Sequence, residues 1–409
     1  MKRARAAGAT IIAILALALS CGRRTSTHPV EVTFWQTWPV EAIAPLARRF
    51  EEANPGVRVV VSQLPAEGAT DTLALAAQSG RPPDLVELTQ EQTATFISDG
   101  LLSDWSAGVA DLKPDVRGWE LCSLGDAIYG LPWLLRTRVL VWDRALFARA
   151  GLDTTRAPAT WDELRTAATR IQKLGNGIHG FGLTDGPRER FVSFMTFAWG
   201  NEGELLSARL DSCRIDSPEN AEALEFLVSL VPVSLAAPRD SLANEFERGR
   251  LGAWITDAGF AAEARKRDPH LPIRVALVPS PAGDHGTHAS TGSGSVLASF
   301  TRSRRKEDAL RFARYLGERQ NTLALAAALE TVFPPHPGVD EAPEYHDRPE
   351  ARLCIRQLGT THFEPLLRDR DLMVDTVDSL VGEALAHRRP ARATVGLADS
   401  LIRKLGVTR

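Results

Sequence analysis

Cysteine is scarce in this chain. Its 409 residues hold four: Cys21, Cys122, Cys213 and Cys354. None forms a CxxC pair or joins a Cys/His cluster, so a zinc site has no ligand set. Enzyme signatures are missing as well. There is no GxSxG, no HExxH, no Walker A sequence and no GxGxxG opening a helix. Gly292-Ser293-Gly294 is an isolated GxG fragment, and the nine His are scattered. Carboxylates are abundant, but no spacing selects an acid–base pair from the background. The expectation is a protein without catalysis, metal or cofactor. Charge of one sign is also lacking. With 48 basic and 51 acidic residues the net charge is −3, which gives no global attraction to nucleic acid. There is no internal repeat and no long low-complexity segment.

What is present begins at the N-terminus. Lys2, Arg3 and Arg5 precede an apolar run from Ala6 to Leu19. Fourteen residues are too few to span a bilayer comfortably, but they fit the apolar core of a secretory signal. The ending Ala18-Leu19-Ser20-Cys21 resembles a bacterial lipobox, although Ala18 stands where that pattern prefers Leu. The expectation is a signal peptide over 1–20, lipidation at Cys21 and a tether over 21–30. Loss of residues 1–20 removes three positive charges and takes the net charge from −3 to −6. No other run approaches the length of a membrane span. Export would permit disulfides. Cys213–Cys354 is then a candidate pair, with buried free thiols as the alternative.

The remainder is globular in composition, with 44% hydrophobic and 24% charged residues. Its length suggests two lobes. Nine Trp against three Tyr is the compositional oddity.

Periodicity supplies the fold class. Glu31 to Trp35 and Val57 to Val61 read as strands of β-branched and aromatic residues. Between them Ile43, Leu46, Ala47 and Phe50 recur at helical spacing, and Asn54-Pro55-Gly56 ends that helix. A helix over 70–79 and a strand over 84–88 follow. This β-α-β-α-β order implies a parallel sheet covered by helices. Two apolar runs flank Pro132, with a central strand over 138–142. Thr160 and Glu163 form a capping box for the next helix. Helices are expected over 189–199, 218–230, 241–248, 306–316 and 320–329. Strands are expected over 181–184, 251–255 and 274–278. Several short helices are expected beyond about Asp340.

Several segments together resemble the extracellular solute-binding proteins of ABC sugar importers, the maltose-binding-protein-like family. They are VTFWQTW (32–38), FEEANPGVRV (50–59), PPDLVEL (82–88), YGLPW with TRVLVWDRALFARAGLD (129–153), PATWDEL (158–164), GRLGAWITDAGF (249–260) and GSGSVLASFTRSRRKEDALRFARYL (292–316). Each is weak alone, but they occur in the family's order over nearly the whole mature chain. The resemblance implies a periplasmic-binding-protein, or Venus-flytrap, fold: two discontinuous α/β lobes joined by a hinge. The expected lobes are 31–135 with 283–332, and 136–282 with 333–409. Chain crossings are expected near 134–139, 279–283 and 330–335.

The function implied is capture of a carbohydrate in the inter-lobe cleft by a monomeric, membrane-anchored lipoprotein that delivers it to an ABC permease. A sugar offers apolar C–H faces ringed by hydroxyls. Its recognition needs aromatic platforms and planar polar forks. The residues expected at the ligand are Trp35, Gln36, Trp38, Gln63, Glu87, Trp133, Arg136, Trp199, Trp254, Asp257, Gly292 and Ser293. Trp35, Gln36 and Trp38 leave the end of the first strand, which faces the crevice in an open α/β sheet. Arg136 and Arg138 flank the hinge, and either could instead form a hinge salt bridge. Gly292, Ser293 and Gly294 fit a close backbone approach. Trp105, Trp119, Trp142 and Trp161 read as structural. A phosphorylated polyol, a polyamine or an exported glycan-acting enzyme are the rival readings.

Overall fold

A computed structural model describes residues 29–406 apart from 66, 282–285 and 368. The expected signal peptide, the expected lipidation site Cys21 and most of the expected tether lie outside the described residues.

Strand β1 (Val30–Gln36) runs parallel to β2 (Val57–Gln63) and β3 (Leu85–Thr89). Helix Val40–Ala53 connects β1 to β2 and buries Ile43, Leu46, Ala47 and Phe50, the four residues at helical spacing. It stops at Asn54, and Gly56 turns the chain with φ +107°, a value open to glycine. β4 (Ser123–Leu124) and β5 (Ala127–Ile128) form a small hairpin.

β6 (Leu131–Asp143) is the longest strand. It is followed by β7 (His179–Thr184), β8 (Ser234–Ala237), β9 (Leu251–Asp257), β10 (Ile273–Ala276), β11 (Ser290–Ala298) and β12 (Thr361–Phe363). The large sheet has the order β2-β1-β3-β11-β6-β9-β7-β8, with β10 beside β6 and β12 beside β11. β6 changes partners along its length. Residues from Leu131 to Thr137 pair with β11, whereas Arg138 to Trp142 pair with β9. One strand thus belongs to both halves of the sheet.

Pro132 does not end β6, although it separates two apolar runs in the sequence. A register shift opposite Ser295 and Val296 leaves Trp133 as an extra, unpaired residue. Such a bulge tolerates the missing N–H of proline. The wide apolar stretch is therefore one strand.

Two apolar cores flank the sheet. One gathers Phe34, Phe50, Trp133 and Phe312, and the other Phe181, Phe194, Phe197 and Leu227. Trp105, Trp119, Trp142 and Trp161 pack into or against these cores as expected. Trp161 stacks on Phe226 at 4.5 Å, and its helix Trp161–Gln172 is capped by Thr160, whose Oγ1 accepts from the Glu163 amide. Cys122, Cys213 and Cys354 are buried free thiols, so the Cys213–Cys354 pairing does not form. Cys213 lies in one core and Cys354 in the other.

The C-terminal part differs most from expectation. It contains two long helices, Arg370–Leu385 and Ala391–Leu405, packed on each other. Among the described residues no helix is long and apolar enough to cross a membrane.

Candidate ligand-binding cleft

The parallel arrangement brings the C-terminal ends of β1 and β3 together. Glu87, near the end of β3, is 5% exposed. Its Oε2 accepts from the Thr37 amide at 2.9 Å and the Thr37 hydroxyl at 3.0 Å. Its Oε1 accepts from Trp38 Nε1 at 2.6 Å. Burial raises the Glu87 carboxyl above its ordinary range, and the donors of Thr37 and Trp38 oppose that shift. Gln36 is fully buried, and its Oε1 accepts from the Trp38 amide at 2.6 Å. Exposed Gln63 donates to the Thr37 carbonyl at 3.4 Å. The loop after β1 is therefore held on three sides, and Trp38 is fixed by both its backbone and its indole.

Arg136 stands over that indole, with Cζ 5.7 Å from the ring centroid, a cation–π distance. It also lies 3.7 Å from Asp257. Asp257 ends β9 and accepts from the Gly259 amide at 2.8 Å. Arg136, Asp257, Gly292 and Ser293 all line a cleft of about 360 Å³. Arg138 lines it too, bound to both carboxylate oxygens of Glu189 at 2.9 and 3.2 Å.

The cleft's aromatic surface comes from Trp199, at the end of helix Glu189–Gly200, stacked on His362 of β12. Their ring centroids are 4.8 Å apart and their planes 13° from parallel. Burial lowers the His362 pKa, which favours the neutral ring. Beyond them Glu364 and Arg370 form an ion pair at 2.7 Å, with side-chain exposures of only 12% and 8%. Among the described residues Glu364 Oε1 and Arg370 Nε have no hydrogen-bond partner. Burial raises the Glu364 carboxyl, and Arg370 pulls in the opposite direction. Gln90 anchors this segment by donating to the Glu364 carbonyl at 2.6 Å.

Two expected ligand residues are corrected. Trp133 has no exposed surface and meets Phe34 edge to face at 5.9 Å. The β-bulge turns it into the core. Trp254 is 1% exposed, donates to the Thr184 hydroxyl at 3.0 Å and packs against Phe260. It sits mid-strand, where the side chain faces a covering helix. Trp35 is half-buried against the first core. Trp35, Gln36, Trp38, Gln63 and Glu87 are not among the residues lining the cleft, and Trp38 adjoins it through Arg136. Gly292 does line it, but its neighbours on adjacent strands explain the residue. A Cβ there would meet Thr361 Cγ2 at 2.4 Å and the Arg136 carbonyl at 2.8 Å. The close approach is strand to strand.

Sequence reasoning missed Gln90, His362, Glu364 and Arg370. None belongs to a recognisable spacing, and three lie in the C-terminal region read only as short helices.

An α/β protein with a polar, aromatic-floored cleft beside a strand shared by both halves of its sheet defines a class that holds small solutes. The chain belongs to the bacterial extracellular solute-binding protein family, whose model matches residues 37–322. A binding protein of Brucella abortus (strain 2308) is 26% identical over 286 residues, 66% of this chain and 66% of that protein. The match thus spans just under two thirds of that relative's length. A maltooligosaccharide ABC transporter solute-binding lipoprotein of Streptococcus pneumoniae serotype 4 is 21% identical over 99% of this chain and 97% of its own. Among solved structures, the cyclic alpha-maltosyl-1,6-maltose binding protein of Arthrobacter globiformis superposes with a TM-score of 0.82. It covers 93% of this chain and 100% of its own at 23% identity, so the likeness concerns the fold.

Proposed function

We propose that this protein captures a carbohydrate in its cleft and delivers it to an ABC permease, as a monomeric lipoprotein anchored through Cys21 on the outer side of the membrane. The observation that carries this reading is the Trp199–His362 stack beside the Glu364–Arg370 pair: an aromatic surface adjoining planar polar groups with unused hydrogen-bonding capacity. The proposed contacts are Trp38, Arg136, Trp199, Asp257, Ser293 and Glu364. Gln36, Gln63 and Glu87 act through Trp38, by fixing its loop.

The proposed lobes are 31–135 with 283–332 and 136–282 with 333–409. The change of partners in β6 between Thr137 and Arg138 supports the first boundary. Ligand touching both lobes is better bound in the closed state and shifts the equilibrium toward it. An anionic solute is less well supported, because Arg136, Arg138, Arg188 and Arg370 all face carboxylates already.

Titration calorimetry against a panel of mono- and oligosaccharides, read together with Trp fluorescence, tests the proposal. Stoichiometric binding without turnover is expected, with the signal reduced in Trp199→Ala. A protein that ignores every sugar but binds another class of solute would refute it.

A further inference from the structure

A second cavity, of about 770 Å³, lies apart from the cleft. Helix Gly259–Arg267, strand β10, the end of helix Arg319–Leu329 and helix Pro349–Leu358 enclose it. Its volume falls within the range of small-molecule sites. The floor is apolar, built from Ala258, Ala261, Ala326, Val332, Phe333 and Cys354. One polar group interrupts it. Tyr345 is 2% exposed, and its hydroxyl has no hydrogen-bond partner among the described residues. A buried hydroxyl left unpaired costs about 1–3 kcal/mol, so it calls for an occupant that accepts a hydrogen bond.

The rim sets the sign of charge. Arg265, Lys266, Arg274 and Arg348 face only Glu330 and Glu350. Arg265 pairs with Glu350, and Glu330 is shared between Lys266 at 2.8 Å and Arg348 at 3.7 Å. Arg274 donates to the Ile273 carbonyl and has no carboxylate partner among the described residues. The cleft differs, since each of its arginines meets a carboxylate. Nothing in the apolar floor suits the hydroxyl-rich ring of a sugar.

We propose that this cavity is a second binding site, which takes an anionic amphiphile of the free fatty-acid type. The acyl chain covers the alanine, valine and phenylalanine floor. The carboxylate accepts from the Tyr345 hydroxyl and neutralises the surplus of cations at the rim. The site is independent of the carbohydrate reading, and either can fail without the other.

Calorimetry on the full mature protein, with decanoate as the probe, tests it. Decanoate should bind, decanol should bind roughly fivefold more weakly, and decyltrimethylammonium should not bind. Ala262→Phe, which fills the cavity from its half-buried wall, should abolish decanoate binding. Lys266→Glu, on the exposed rim and checked for folding by circular dichroism, should weaken it roughly fivefold. Tyr345→Phe should weaken it roughly tenfold, the loss of one hydrogen bond to a charged group. The proposal is overturned if decanoate does not bind, if decanol binds equally well, or if folded Ala262→Phe and Lys266→Glu bind decanoate like the wild type.

Discussion

Glu87 and Glu364 are both buried carboxyls beside the cleft, and they are held by opposite means. Glu87 has no cation in hydrogen-bond contact. Two donors from Thr37 and one from Trp38 satisfy it, and it serves as a socket for the loop after β1. Glu364 has the equally buried Arg370, yet among the described residues one oxygen and one nitrogen of that pair stay unpartnered. The difference teaches that one carboxyl is spent on architecture, while the other keeps capacity that a ligand can use.

The sharpest way to break this comparison is Arg370→Met. It leaves Glu364 buried without its counter-charge and should cost about 3–5 kcal/mol in urea unfolding. A loss no larger than that of the Glu87 variants would mean that the pair is not what anchors Glu364. Glu87→Gln comes next, at roughly 2–3 kcal/mol. The amide oxygen can serve Thr37 or Trp38, but the NH2 then confronts the other donor. The Trp38 emission should shift with it.

Titration sharpens the contrast further. The folded Glu87 pKa lies above the unfolded value near 4.5. The native state therefore holds this proton more tightly, and its stabilising contribution is full only below the ordinary carboxylate range. It declines as pH rises through that range toward the raised folded value. The stability advantage of the wild type over Glu87→Gln should accordingly shrink with rising pH, as followed by denaturant midpoints from pH 4 to 7. An advantage that grows with pH would contradict the burial argument. The smallest effect belongs to Trp38→Phe, which keeps a ring but removes the indole donor. It should cost about 1 kcal/mol and blunt the fluorescence response to ligand.

Much of the framework was legible. Helix Val40–Ala53 buries the residues that its spacing marked, and the Thr160 cap lies where the Thr-x-x-Glu pattern put it. These features rest on contacts within a few residues along the chain. The site was less legible. Trp38, Arg136, Trp199 and Asp257 stood out by residue type and by position at the ends of elements. Trp133 and Trp254 stood out equally and are core. Which face a strand residue shows depends on register and covering helices, and the bulge at Pro132 reverses the simple alternation. Glu364 and Arg370 had no local signal, because their meaning comes from burial against Trp199, His362 and Gln90.

By itself, the sequence determined the α/β class, the order of most elements, the family and a surplus of tryptophan to be shared between core and cleft. Only the tertiary structure decided how that surplus divides, that Glu87 is a socket for Trp38, and that an uncovered apolar cavity carries an unpaired Tyr345. Helix periodicity and caps are local and survive in one dimension. Burial and unsatisfied donors depend on residues brought together from distant segments, as Trp38 is with Glu87 and Arg136 with Asp257, and they exist only once the chain has folded.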